Sequence, residues 1–277
     1  MPYTNEKSED KSAVKIHFED LGSGQPVILI HGWPASKDMW EYQYEDILAA
    51  GFRVIGYDRR GFGKSDKPAE GYNYDIFAED LHQLIHELNL ENVILVGFSM
   101  GGGEVARYIG KYGTSKLAKA VLISSVVPLL KQTPSNSDGV PEDVLQGMIK
   151  EIKKDRPGFL TEFSKNFFGV TTFSNPVSEG ILNWMAYLAF PASNIATTNC
   201  IEAFGNTDFN GDLSSFNIPT LIIHGDADKI VPIDATGRKA AQSINGSIFK
   251  VYEGAPHGLF VTEKEQLNLD LINFFKQ

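Results

Sequence analysis

The chain has 277 residues, of which 42% are hydrophobic, and a formal net charge of −10. This composition is typical of a globular protein, and the acidic balance disfavours nucleic acid and anionic membranes as partners. The single cysteine, Cys200, excludes an intrachain disulfide and is expected to be a buried, inert thiol. The polar start, MPYTNEKSEDK, does not resemble a signal peptide, so we expect a soluble cytoplasmic protein.

Seven short runs rich in strand-forming residues predict the β-strands. In chain order they cover 13–19, 27–32, 52–58, 92–98, 120–125, 220–226 and 248–254. Five of them are dense in Val, Ile and Leu with little alternation, which indicates strands buried on both faces of a parallel sheet. Helical patterns cover 75–89, 104–112 and 263–276. This alternation predicts an α/β fold with a mostly parallel, doubly wound sheet of about eight strands.

One long segment, 127–217, shows no strand–helix repeat. Within it the run 142–154 is amphipathic, and the run 179–190 is apolar almost all round. A structureless loop of that length is implausible, so a helical insertion that covers one end of the sheet is expected. The predicted organisation is therefore a core formed by 1–126 and 218–277, with a helical cap at 127–217.

The stretch GFSMGGG, at 97–103, places a serine between a predicted strand and a predicted helix. It fits the pattern G-x-S-x-G in the strand–turn–helix context that a nucleophilic serine requires. A sharp turn at Ser99 would lift its hydroxyl clear of the sheet, in a sparsely populated region of φ and ψ. Side chains two residues before and after the serine would then collide, which explains Gly97 and Gly101. The alternative is a glycine-rich turn with a capping serine.

A serine hydroxyl is a weak nucleophile and needs a general base held by a third group. With a serine in this context, the acid and then the histidine follow in the sequence. His257, in EGAPHG, lies just past the last predicted strand, where the base is expected. His224 and His17 lie within predicted strands and are interpreted as structural.

The acid is expected after the predicted strand 220–226, where two carboxylates are available, Asp226 and Asp228. Asp226 is next to the turn at Gly225, where it is suited to local bonds with the backbone. Asp228 lies further into the loop and can reach an imidazole, so we assign it as the acid. The other position used by such enzymes, after the strand that follows the nucleophile helix, holds Ser124 and Ser125 here.

Two backbone N–H groups are expected to stabilise negative charge on the substrate. Met100 opens the helix after Ser99, so its N–H points toward a developing oxyanion. The second donor should come from HGWP, at 31–34, and is assigned to the N–H of Trp33, with His31 bracing the loop. HQLIH, at 82–86, has the spacing of a zinc helix, but Gln83 takes the place of the glutamate, so no metal site is expected.

With these residues assembled, the chain resembles the α/β-hydrolase fold, and in particular its cofactor-free haloperoxidase, perhydrolase and arylesterase branch. The resemblance rests on HGWP, YDRRGFGKSD (57–66), LVGFSMGGGEVARYI (95–109), NTDF (206–209), IPTLIIHGDAD (218–228) and PHG (256–258). It implies a triad of Ser99, Asp228 and His257, oxyanion donors at Trp33 and Met100, a cap of several helices, and neither metal nor haem. It weakens between about 136 and 203, so the substrate range stays open.

Two further residues, Pro34 and Phe98, are expected to shape the acyl pocket and the preference for peroxide. Family members with proline after the oxyanion tryptophan tend to favour peroxide over water as the acyl acceptor. Proline fixes φ and lacks an N–H, so it can direct the Trp33 carbonyl toward the acyl-enzyme, where that carbonyl would accept a hydrogen bond from peroxide. The alternative is that Pro34 only stiffens the turn.

The expected activity is hydrolysis of small aryl or alkyl esters through a serine acyl-enzyme, with peracid formation as a side activity. The expected partners are a small ester and hydrogen peroxide, with no cofactor, and a homo-oligomer is compatible with the sequence. Two alternatives stay open: an amidase or lactonase that uses the same triad, and a non-catalytic small-molecule receptor. Dehalogenase and epoxide-hydrolase chemistry would require a carboxylate at Ser99 and is disfavoured.

Overall fold

A computed structural model describes residues 3–5 and 13–277, and one seven-stranded sheet lies at its centre. The strands are β1 (Phe18–Leu21), β2 (Pro26–Ile30), β3 (Arg53–Tyr57), β4 (Val93–Phe98), β5 (Leu117–Ile123), β6 (Thr220–Gly225) and β7 (Ile248–Tyr252). Their spatial order is β1-β3-β2-β4-β5-β6-β7, and β1 alone runs antiparallel to its neighbour. The predicted mostly parallel sheet is confirmed, with seven strands in the described residues rather than about eight.

The helices are α1 (Glu41–Ala49), α2 (Tyr74–Glu87), α3 (Met100–Tyr112), α4 (Glu142–Phe167), α5 (Glu179–Ala189), α6 (Asn194–Asn206), α7 (Asn210–Leu213), α8 (Gly237–Ser243), α9 (Leu259–Thr262) and α10 (Lys264–Lys276). The side chain of Asn73 caps α2 by accepting a hydrogen bond from the N–H of Ile76 at 3.1 Å. Strand–helix alternation around a parallel sheet is the predicted doubly wound α/β fold, which is confirmed.

The centre of the sheet explains the unbroken apolar runs of the sequence. Every residue of β2 and β4 is buried, because helices cover both faces of the sheet at these strands. The carboxyl ends of β2, β4, β6 and β7 lie at one edge of the sheet, since these strands are parallel. The loops that follow them therefore meet at that edge.

The elements between β5 and β6 are the helices α4 to α7. Helix α4 is broken at Asp155, whose φ of −154° and ψ of 82° are not helical. The carboxylate of Asp155 accepts a hydrogen bond from the N–H of Gly158 at 3.0 Å, so it caps the second half of the helix. Pro157 lies in the first turn of that half, where a backbone N–H has no intrahelical acceptor. The N–H that proline lacks therefore costs the helix no hydrogen bond.

Three sequence expectations concern the chain as a whole. Cys200 is buried and unpaired with another cysteine, and burial raises the pKa of its thiol to about 12, as expected of an inert thiol. Within residues 3–5 and 13–277, no helix combines the length and the apolar character needed to cross a bilayer. The polar N-terminal segment, on which the expectation of a cytoplasmic protein rests, lies mostly outside the described residues.

Candidate active site

The turn between β4 and α3 has the geometry that the glycines predicted. Ser99 lies between the two elements with φ of 52° and ψ of −117°, a conformation that costs a non-glycine residue about 1–3 kcal/mol. A Cβ atom at Gly97 would clash with the backbone carbonyl of Gly101. Position 97 therefore admits no side chain while the chain reverses at the serine.

The glycines after Ser99 let α3 approach three different neighbours. A Cβ at Gly101 would lie 2.5 Å from the carbonyl oxygen of Ile30 at the end of β2. A Cβ at Gly102 would clash with Ser125 after β5. Gly103 instead faces the rings of Tyr74 and Phe209, and a Cβ there would lie 2.7 Å from each ring, so its contact is with α2 and the segment before α7.

Gly101→Ala is expected to destabilise the fold by about 1–3 kcal/mol, because the new methyl group would press on a buried backbone carbonyl. Thermal unfolding measures the effect. The matched control is Gly147→Ala in the interior of α4, where a Cβ meets nothing within 4 Å. That variant should be more stable than the wild type by about 0.5–1 kcal/mol, because alanine loses less backbone entropy than glycine on folding. Equal melting temperatures for the two variants would contradict the close approach of α3 to β2.

Ser99, His257 and Asp228 form one hydrogen-bonded series at the carboxyl edge of the sheet. His257 Nε2 lies 3.0 Å from Ser99 Oγ, and His257 Nδ1 lies 2.7 Å from Asp228 Oδ2. All three side chains are buried. The ring of His257 is held between Phe98 and Phe167, with centroid distances of 4.9 and 4.8 Å. The structure thus brings together three residues that are far apart in the sequence.

Asp228 is fixed by bonds to both carboxylate oxygens. Its Oδ1 accepts hydrogen bonds from the N–H groups of Ile230 and Val231, at 2.9 and 2.8 Å, so only Oδ2 faces His257. His224 Nε2 lies 3.4 Å from the same Oδ2. Burial alone would raise the pKa of Asp228, but His257 and His224 outweigh it and hold that pKa well below its usual value. The carboxylate is therefore ionised at any working pH.

Asp226, the other candidate acid, lies outside this series. Its side chain is exposed, and its Oδ1 accepts a hydrogen bond from the N–H of Gly254 at 2.6 Å. It therefore ties the turn after β6 to the turn after β7 through a backbone bond to a residue 28 positions away, rather than through the local bond that was expected. His224 lies within β6 and its Nε2 also contacts the carbonyl of Val231 at 2.9 Å.

Of the two predicted oxyanion donors, Met100 directly follows Ser99, and Trp33 lines the same cavity as Ser99. Met100 is the first residue of α3, where an N–H has no intrahelical acceptor. Trp33 follows β2, and among the described residues its backbone N–H has no hydrogen-bond acceptor. Its indole Nε1 donates to the carbonyl of Thr197 at 3.0 Å, which fixes the ring against α6. Pro34 is buried directly after it.

A cavity of about 110 Å³ opens onto Ser99 and His257. Apart from Lys229, its other walls are apolar or aromatic: Trp33, Val126, Leu130, Val140, Val144, Leu145, Met148, Phe163, Phe204, Ile230 and Val231. The structure places both Phe98 and Pro34, which were expected to shape the acyl pocket, outside these walls. As the last residue of β4, Phe98 packs under His257 and against Trp40 and Phe260, so it supports the imidazole instead.

The sequence did not single out one buried group near the site, the pair of Arg59 and Glu104. Arg59 Nε lies 2.7 Å from Glu104 Oε2, and both side chains are buried. His31, expected to brace the loop, accepts a hydrogen bond on Nε2 from the N–H of Arg59 at 2.9 Å. Among the described residues, no three His, Cys, Asp or Glu side chains are grouped so that they could hold a metal ion.

Comparison with known proteins gives the same family throughout. The family model of the alpha/beta hydrolase fold matches residues 25–264. Non-heme chloroperoxidase CPO-A1 of Kitasatospora aureofaciens is 42% identical over 96% of this chain and 98% of its own. A bifunctional esterase/perhydrolase of Acinetobacter calcoaceticus is 38% identical over 96% of this chain and 98% of its own.

The solved structures agree with the sequence relatives. The crystal structure of a bromoperoxidase from Bacillus anthracis superposes with a TM-score of 0.94 and 46% identity, over 96% of this chain and 97% of that chain. This agreement extends over nearly the whole length of both chains. The chain therefore belongs to the α/β-hydrolase family, within its cofactor-free haloperoxidase and perhydrolase branch.

Proposed function

We propose that this chain is a serine hydrolase that cleaves small carboxylic esters through an acyl-enzyme on Ser99. The observation that carries the proposal is the hydrogen-bonded series from Ser99 Oγ through His257 to Asp228, at the base of an apolar cavity. A serine bonded to an imidazole, which is itself oriented by a buried carboxylate, is the arrangement that activates a hydroxyl. An exposed serine in a capping turn would need neither partner.

In the first half of the reaction Ser99 Oγ attacks the ester carbonyl carbon while His257 Nε2 takes the hydroxyl proton. Asp228 stabilises the resulting imidazolium through Nδ1. The carbonyl oxygen becomes an oxyanion, and the N–H groups of Trp33 and Met100 are the donors proposed to bind it. When the tetrahedral intermediate collapses, the bond to the alcohol oxygen breaks and His257 returns the proton to the leaving alcohol.

In the second half an acceptor molecule attacks the acyl-enzyme, with His257 now acting as the general base. Water gives the carboxylic acid, and hydrogen peroxide gives the peracid; in both cases Ser99 is released with its proton restored. A relative of this chain is named as a bifunctional esterase/perhydrolase, and others are named non-heme chloroperoxidases. We therefore include hydrogen peroxide as a second acyl acceptor of this site.

The substrate class follows from the cavity. With about 110 Å³ and apolar or aromatic walls, it suits a short acyl chain or a single aromatic ring rather than a long chain or a charged acyl group. Several walls come from α4 and α6, and we propose that the segment 127–217 acts as a cap over a core formed by 1–126 and 218–277. In this division the core supplies the chemistry and the cap sets the acyl range.

Pro34→Leu is expected to lower the ratio of perhydrolysis to hydrolysis several-fold. Water and peroxide compete for one acyl carbonyl, so a difference of roughly 1 kcal/mol from one hydrogen bond changes their ratio about fivefold. If Pro34 directs the Trp33 carbonyl toward peroxide, its loss removes that bond while the triad and the oxyanion donors remain. Peracid and acid released from one ester at fixed peroxide measure the ratio. A fall of both activities with an unchanged ratio would leave Pro34 as a stiff turn only.

An ester panel that varies acyl length, assayed with and without peroxide, tests the proposal as a whole. Short-chain and aryl esters should turn over fastest, and peroxide should divert part of the product to peracid. A lactone and an anilide of matching acyl group complete the panel. Faster turnover of either one would favour the lactonase or amidase alternative, and the absence of any turnover would favour a receptor.

A further inference from the structure

The ion pair of Arg59 and Glu104 is completely enclosed and takes no part in the proposed chemistry. Arg59 Nε donates to Glu104 Oε2 at 2.7 Å, with exposures of 1% and 0%. The other carboxylate oxygen accepts a hydrogen bond from the hydroxyl of Tyr57 at the end of β3. A buried ion pair is weak evidence for stability, because apolar side chains of the same size often stabilise a fold as well or better. Its geometry suggests a different role.

Arg59 holds the loop that precedes Trp33 from two sides. Its Nη2 donates to the carbonyl oxygen of His31 at 2.9 Å, and its backbone N–H donates to His31 Nε2 at 2.9 Å. His31 Nδ1 in turn lies 2.8 Å from the carbonyl oxygen of Gly32. Burial, helped by the charge of Arg59, lowers the pKa of His31 to about 3, so the ring is neutral and donates through Nδ1. The two residues before Trp33 are thus fixed by one arginine.

Glu104 connects the same arginine to the nucleophile helix. It lies four residues after Met100 on α3, so it is one turn along from the N–H of that residue. The helix also approaches the loop directly, since a Cβ at Gly101 would lie 3.0 Å from the carbonyl oxygen of His31. One guanidinium therefore joins the two backbone segments that carry the N–H groups of Trp33 and Met100.

We propose that Arg59 and Glu104 are positioning residues that set the spacing of the oxyanion hole. The inference rests on the proposed acyl-enzyme function. Donors stabilise the transition state only when they lie about 2.7–3.1 Å from the developing oxyanion, and a misplacement of about 1 Å can cost about 100-fold in rate. Loss of the pair should therefore weaken binding of the transition state more than binding of the ground-state ester.

The test compares Arg59→Met and Glu104→Gln with the control Arg60→Met. Arg60 is the next residue and makes an equally close pair, with Nε and Nη2 each 2.6 Å from a carboxylate oxygen of Asp80, but this pair joins the loop to α2 rather than to α3. A separate sample of each protein is labelled to completion with a fluorophosphonate, which counts the reactive serines. The kcat of the unlabelled protein is then expressed per reactive serine. An alkyl trifluoromethyl ketone, which forms a reversible hemiketal with the serine, reports on oxyanion binding.

We expect kcat per site to fall about 10- to 100-fold in both test variants, with KM within about threefold of the wild-type value. Affinity for the trifluoromethyl ketone should fall in parallel with kcat. Arg60→Met should keep the per-site kcat and the ketone affinity of the wild type. If Arg59→Met does not fold, Glu104→Gln carries the test, because it keeps the shape of the side chain but removes its charge, and its single amide oxygen cannot accept from both Arg59 and Tyr57.

Two results would overturn the proposal. One is wild-type kcat per site and wild-type ketone affinity in the folded test variants. The other is an equal loss in Arg60→Met, which would show a general effect of removing a paired arginine from this loop. Failure of the underlying function has a separate signature, because a wild-type chain that the fluorophosphonate does not label has no reactive serine, whatever the variants do.

Discussion

Ser99→Ala is expected to abolish ester hydrolysis, with kcat lower by a factor on the order of 10⁶. In the proposed mechanism the hydroxyl of Ser99 attacks the substrate, and its hydrogen bond to His257 at 3.0 Å activates it. The fold should be retained, because alanine at this φ of 52° carries the same backbone strain as serine. Turnover of a chromogenic ester, together with far-UV circular dichroism, measures both effects.

The chain offers a closely matched control in Ser124→Ala. Ser124 also follows a strand, also has a positive φ of 43°, and has a buried hydroxyl without a hydrogen-bond partner among the described residues. Its hydroxyl makes no hydrogen bond to His257, so its loss should leave kcat near the wild-type value. A Ser99→Ala enzyme that kept a tenth of the wild-type kcat would exclude Ser99 as the nucleophile.

Asp228→Asn is expected to lower kcat by about 10⁴. The backbone N–H groups of Ile230 and Val231 require an acceptor at the Oδ1 position, so the amide oxygen of asparagine must take that place. The amide NH₂ then faces His257 Nδ1, which becomes an acceptor. The ring proton is then on Nε2, facing Ser99. In this tautomer Nε2 cannot accept the proton of the serine hydroxyl. The loss should appear in kcat rather than in KM.

Asp226→Asn is the matched control for that substitution. Its side chain accepts one backbone hydrogen bond, from Gly254, and an amide oxygen can accept the same bond. Both kinetic constants should stay close to those of the wild type. A nearly inactive Asp226→Asn with a normal melting temperature, beside an active Asp228→Asn, would reverse the assignment of the acid.

The central strands were the most predictable part of the fold, since burial on both faces leaves an apolar run in the sequence. The run 27–32 became Pro26–Ile30, and the run 92–98 became Val93–Phe98. The edge strand was displaced: the pattern indicated 13–19, whereas the ladder begins at Phe18, opposite Tyr57. An edge strand pairs on one side only, so its alternation does not determine where pairing starts.

The predicted helix boundaries differ from the structure near glycine and proline residues. The hydrophobic pattern covered only 104–112 of the helix after Ser99, whereas the serine motif placed its start at Met100, where α3 begins. Its glycines are poor helix formers and are needed for close approach to β2 and β5. The pattern also ended the first cap helix at 154, near the break at Asp155, and missed the second half of α4.

The candidate site likewise has one part that the sequence predicted and one part that it did not. The order of serine, acid and histidine along the chain, together with the strand ends, was enough to name Ser99, Asp228 and His257. The pair of Arg59 and Glu104 left no such signal, because the two residues are 45 positions apart and neither lies in a periodic pattern of charges. A contact of this kind exists only once the loop after β3 has packed against α3.

The break in α4 has a consequence for how substrate range can change during evolution. The first half contributes Val144, Leu145 and Met148 to the cavity and contains no aromatic side chain that could pack against Trp33. The second half contributes Phe163, whose ring packs edge-on against Trp33 with centroids 5.2 Å apart. Selection for new acyl groups is therefore free to act on the first half, whereas changes in the second half also alter the packing of Trp33. One helix thus carries an adaptable segment and a constrained one, separated at Asp155.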